Sequence, residues 1–136
     1  MAGSVAVTRH YLSHNGGTLV VKLACIGDVA GGAVPATQIT AAEIAPIGYQ
    51  LNYQMMGYYL YEVWTVAGAP APDPADIAIT DELASELYSE VGIITAAGTV
   101  EGTLAKYKAV TSLLTMTVAN QATNSAVWDV YLKLVR

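Results

Sequence analysis

The sequence predicts a mainly all-β domain built from antiparallel strands, a β-sandwich or a jelly-roll-like barrel with at most one or two short helical turns. Several runs alternate apolar and polar residues with a period of two. Clusters of Gly, Pro, Asn and Asp punctuate them, and helical spacing is confined to short stretches. Six or seven strands with turns between them suit a sandwich or small barrel. The 136 residues suit one domain spanning residues 1–136, because a second core would leave each too small to be stable.

The first element is a hairpin. Residues 4–12 and 18–26 are β-rich, and Ser13-His14-Asn15-Gly16-Gly17 between them contains the Asn-Gly pair that tolerates positive φ in a tight turn. In the second strand Leu19, Val21, Leu23 and Cys25 share one face, while Lys22 marks the other as partly wet. Residues 27–48 then form a long connection, rich in Gly and Ala and broken by Pro35 and Pro46. Its apolar residues Val29, Val34, Ile39, Ile44 and Ile47 predict that it is pinned to a neighbour, with one helical turn at residues 41–44.

Residues 49–66 carry Tyr49, Tyr53, Tyr58, Tyr59, Tyr61 and Trp64. Strict alternation over 58–66 would place Tyr59, Tyr61, Val63 and Thr65 on one face and Tyr58, Leu60, Glu62 and Trp64 on the other. Neither face is simply polar, so this strand is expected to be covered on both sides. Prolines 70, 72 and 74 end it. Residues 76–81 alternate as a short strand, and residues 82–91 admit either a short helix, through Leu83, Leu87 and Val91, or a hairpin arm. Residues 109–119 and 126–135 read as two closing strands joined into a hairpin by the polar loop 120–125.

Composition bears on function. Apolar residues make up 54% of the chain and charged residues 12%, about half the usual share, so the surface is expected to meet another subunit. With six Lys and Arg and a net charge of −5 there is no basic stripe for phosphates, and nucleic acid is not an expected partner. No apolar run reaches the ~18 residues of a membrane helix, and the N-terminus has no signal-peptide pattern, so no membrane association is expected. A lone cysteine predicts a reducing compartment.

Motifs for chemistry are sparse. His10 and His14 lie where a strand runs into a turn, not on one helix face, and Cys25 sits in an apolar alternation; neither pattern points to a metal or a nucleophile. Asp73, Asp76, Asp81, Glu82, Glu86, Glu90 and Glu101 form an acidic region that lacks the Asp-x-Asp-x-Asp-Gly spacing of a calcium loop. The expectation is therefore no enzyme, no catalytic residue, no cofactor and no metal. The interface is expected at the aromatic and methionine-rich segment: Tyr49, Tyr53, Met55, Met56, Tyr58, Tyr59 and Tyr61.

Tyr58-Tyr59-Leu60-Tyr61-Glu62-Val63-Trp64-Thr65-Val66-Ala67-Gly68-Ala69-Pro70-Ala71-Pro72, followed by Asp76-Ile77-Ala78-Ile79-Thr80-Asp81-Glu82, resembles small virion-associated proteins of tailed bacteriophages. Leu114-Thr115-Met116-Thr117-Val118-Ala119-Asn120 with Asn124-Ser125-Ala126 is similar to that group's final hairpin, so the resemblance spans roughly residues 57–136. Where the group tends to place Gly after Asp-Glu, this chain has Leu83-Ala84-Ser85-Glu86, which favours a helical turn there. The resemblance implies a structural virion protein, assembled in the host bacterial cytoplasm. It would be a capsid decoration (cement) protein or a neck or tail component, contacting major capsid or neck and tail subunits and copies of itself. The alternatives are a tail receptor-binding or fibre-adaptor module and, further off, a small jelly-roll enzyme.

Overall fold

The computed structural model describes residues 1–40, 54–104 and 106–136. They form ten strands: β1 (Ser4–Leu12), β2 (Thr18–Ile26), β3 (Thr37–Gln38), β4 (Tyr59–Ala67), β5 (Ala75–Thr80), β6 (Glu86–Ile94), β7 (Thr99–Glu101), β8 (Lys108–Ala109), β9 (Thr115–Ala119) and β10 (Val127–Val135). All pairings are antiparallel. One sheet has the order β1-β2-β10-β4-β7, with β8 also on β4, and the other has the order β3-β9-β5-β6. The two sheets are separate and neither closes on itself, so the architecture is the sandwich and not the barrel.

One apolar cluster lies between the sheets. The first contributes Leu19, Leu23, Leu60, Val63, Trp128 and Leu132, and the second Ile77, Ile79, Ile93 and Met116, with Leu114 just before β9 beside them, all buried. Trp128, Val130, Leu132 and Leu134 alternate inward along β10, which is central and paired on both sides. Ile39 is fully buried and Val34 packs on the core, so this part of the long connection is pinned, while Val29 is exposed. The expected helical turn at residues 41–44 lies outside the described residues.

The first hairpin forms where local chemistry predicts it. Ser13 N–H donates to the Thr18 carbonyl and Thr18 N–H to Ser13 Oγ, while Asn15 Oδ1 accepts from Gly17 N–H. Gly16 takes φ 73°, a conformation that needs no Cβ. Leu19, Val21, Leu23 and Cys25 all face the core.

β4 departs from strict alternation. Its register against β10 runs Lys133↔Glu62 and then Leu134↔Leu60, so Tyr61 is the extra residue of a β-bulge. The bulge shifts the period by one. Leu60, Val63 and Thr65 therefore face the core, while Tyr59, Tyr61, Glu62 and Trp64 lie towards the outer face. Within one chain only the inner face of β4 is packed against the second sheet, and the outer face carries Trp64 and the exposed Tyr59 and Tyr61.

Residues 82–91 are a hairpin arm and contain no helix. β5 and β6 are joined by a turn in which Asp81 Oδ1 accepts from the N–H groups of Leu83 and Ser85, both at 2.9 Å, and Ala84 adopts φ 59°. The Asp81 side chain satisfies the donors that a glycine turn leaves to its own backbone. An alanine in this left-handed region costs about 1–2 kcal/mol, partly offset by the entropy that glycine loses on folding. Ala84→Gly is thus expected to stabilise the fold by about 0.5 kcal/mol, read as a higher urea midpoint with an unchanged slope.

The end of the chain is also corrected. β8 belongs to the first sheet and β9 to the second, so residues 109–119 are not one strand. β9 and β10 likewise lie in different sheets, and the 120–125 loop is a crossing between layers instead of a hairpin. Asn120 and Ser125 turn the chain with φ 68° and 55°. Gln121, buried, accepts from Asp73 N–H through Oε1 (3.1 Å) and donates through Nε2 to the carbonyls of Gly32 (3.2 Å) and Thr123 (2.9 Å). Asp73 Oδ1 accepts from the N–H groups of Ala122 and Thr123, and these bonds lower its carboxyl pKa.

Candidate functional site

The residue types that could carry reaction chemistry are dispersed or structurally employed. His10 is at the end of β1 and His14 in the following turn, both exposed. Cys25 is fully buried, and desolvation, with the negative charge of Asp129, pushes its thiol up to about 12, so it stays protonated at neutral pH. Four carboxylates of the acidic region cap donors of neighbouring segments. Asp73 holds the crossing loop and Asp81 its own turn. Asp76 accepts from Gly92 N–H and Asn120 Nδ2, and Glu90 accepts from Thr103 N–H and the Tyr88 hydroxyl. Among the described residues no three His, Cys, Asp or Glu side chains gather into a group that could hold a metal.

What the fold does assemble is an aromatic outer face on the first sheet. The registers align Thr8, Lys22, Tyr131, Trp64 and Glu101 in one row across β1, β2, β10, β4 and β7. Tyr131 and Trp64 stack face to face, with ring centroids 5.0 Å apart and an interplanar angle of 7°. His10 meets Tyr131 edge-on at 5.2 Å, and Lys22 Nζ lies 6.0 Å from the same ring while pairing with Asp129 at 3.8 Å. Cross-strand pairs of this kind contribute about 0.2–1 kcal/mol each. The stack covers one face of each ring and stiffens the sheet.

A different group remains open at the lower edge of this face. β7 pairs with residues 64–66 of β4 and β8 with Tyr59 and Leu60, leaving a gap at the bulged Tyr61. Tyr107, immediately before β8, packs its ring on Tyr61 at 4.9 Å, and Lys133 Nζ sits 5.4 Å from the Tyr61 ring. Met56, Tyr59, Tyr61 and Tyr107 are 37%, 48%, 39% and 58% exposed. These four form the chain's aromatic corner.

Of the seven residues expected at an interface, Met56, Tyr59 and Tyr61 are exposed here. Met55 and Tyr58 are instead core residues, 1% and 2% exposed. Tyr58 is buried because Gly57, at φ 88°, reverses the chain just before β4, and its hydroxyl donates to the Gly16 carbonyl beneath the Arg136 guanidinium. Tyr49 and Tyr53 lie outside the described residues. Tyr107, Trp64, Tyr131 and His10 join the face without having been singled out for it. Only the period-two position of Trp64 and Tyr131 on their strands could have signalled them. Tyr107, alone in a short polar segment, carries no such signal.

No protein family, curated protein or solved structure matches the chain.

Proposed function

We propose that this chain is a structural subunit of a tailed-bacteriophage particle, a capsid decoration (cement) protein or a neck or tail component. It would act by docking its aromatic corner against neighbouring virion subunits or copies of itself. The observation that carries the docking role is the exposure of Met56, Tyr59, Tyr61 and Tyr107 together at the β4–β8 edge. Clustered aromatics and methionine are the composition of interface centres, and a chain with 12% charged residues has few charges to keep such a patch solvated, which favours its burial against a partner. The phage assignment rests on the resemblance over residues 57–136.

Replacing Tyr61 and Tyr107 together with glutamate is expected to weaken attachment to particles that lack the chain by at least thirtyfold, since an interface anchor contributes about 2 kcal/mol or more. The melting temperature should stay within a few degrees, because both rings are exposed. Undiminished attachment of the double variant would overturn the docking role. Copy number per purified particle, by quantitative mass spectrometry, separates shell from neck or tail: hundreds of copies mark a shell protein.

A further inference from the structure

We propose that the cleft along the outer edge of β6 binds an extended acidic peptide segment of a partner protein, taken up as an added strand. This site lies on the second sheet and is independent of the aromatic corner. β6 is the last strand of its sheet and pairs with β5 alone, so one side of its nine-residue backbone has no strand partner. Such an edge is a template for β-strand addition. Here it opens on a cavity of about 350 Å³, within the range of ligand sites. Glu86, Leu87, Tyr88 and Ser89 of β6 form one wall, and Thr103, Leu104, Lys106 and Lys108 form the other.

Three features favour an acidic strand. Lys108 Nζ donates to the Glu86 carbonyl, supplying from a side chain the donor that a neighbouring strand's amide would provide. Neither Lys106 nor Lys108 meets a carboxylate of the described residues within 4 Å. Two ammonium groups line the cleft against the one lining carboxylate of Glu86, while the adjacent Glu90 carboxylate is engaged by the Thr103 N–H and the Tyr88 hydroxyl. The far wall is also held in place, because Glu90 Oε1 accepts from Thr103 N–H at 2.7 Å and from the Tyr88 hydroxyl at 3.2 Å. A preformed wall lowers the ordering cost of binding.

Edge lysines also protect sheets from self-pairing, and the test separates that role from recognition. The ¹⁵N-labelled full chain is titrated with a capped hexapeptide alternating Val and Glu, following the amides of residues 87–89 and 103–104. Saturable shifts are expected, with affinity falling at least tenfold for Lys106→Glu with Lys108→Glu, and falling likewise when alternate peptide nitrogens are methylated to block pairing. Lys106→Glu alone disturbs no hydrogen bond within the described chain and serves if the double variant melts differently. The proposal is overturned if no shifts appear, or if the methylated peptide or an alternating Val and Lys peptide binds equally well. Sodium acetate moving the same amides at equal carboxylate concentration, which would mark a simple anion site, also overturns it.

Discussion

Tyr58→Ala is expected to destabilise the fold by about 3–5 kcal/mol, the usual cost of removing a buried aromatic ring. Near this chain length that lowers the melting temperature by roughly 10–20 °C. Three interactions are lost at once. The ring is 2% exposed in the core, the Arg136 guanidinium lies 4.8 Å from its centre, and its hydroxyl ties the start of β4 to the first hairpin turn at Gly16. Tyr58→Phe retains the ring and loses only the hydrogen bond, for about 1 kcal/mol. A thermal melt of the isolated chain therefore distinguishes core from interface: if Tyr58 served mainly as a docking residue, both variants would melt like the parent. The neighbouring Tyr59→Ala, on an exposed ring, should change stability by well under 1 kcal/mol.

Gln121→Leu should cost about 3 kcal/mol, or roughly 10 °C in melting temperature. The leucine fills much of the volume but leaves the Gly32 carbonyl and the Asp73 amide without their partner, and leaves the Thr123 carbonyl with the Ala126 N–H alone. Buried polar groups stranded in this way cost about 1–3 kcal/mol each, less where water reaches them. The same crossing should loosen in acid. The Asp73 carboxyl is lowered from 3.8 by hydrogen bonds from the Ala122 and Thr123 amides, so the folded state favours its ionised form. That contribution is complete above about pH 5 and is lost as the pH falls through the lowered pKa. Amide exchange at residues 121–123 should accelerate on acidification relative to the β10 amides, after correction for intrinsic rates, and Asp73→Asn should abolish the difference. A melting temperature for Gln121→Leu equal to the parent's would show that the crossing does not depend on this side chain.

The sequence by itself determined the all-β class, the β1–β2 hairpin, β5 and the inward face of β10. In the first hairpin and at the end of β5 a period-two apolar pattern lies beside a turn whose residues satisfy their own backbone, and along β10 the period-two pattern alone marks the face; these are local properties. Aromatic and methionine density marked Tyr59 and Tyr61 as surface candidates, and equally marked Met55 and Tyr58, which the fold buries. The tertiary structure alone decided the rest. The bulge that places Tyr61 outside and Val63 inside exists only against Lys133 and Leu134 of β10. The polar loop 120–125 has the composition of a hairpin. It became a crossing because β9 pairs with β3 and β5 while β10 pairs with β2 and β4. Tyr107 reached Tyr61 only when β8 paired with β4, joining residues 46 positions apart in an aromatic corner that no local window contains. Sheet membership is set by the sum of long-range pairings, and a strand's own residues specify its face but not its neighbour.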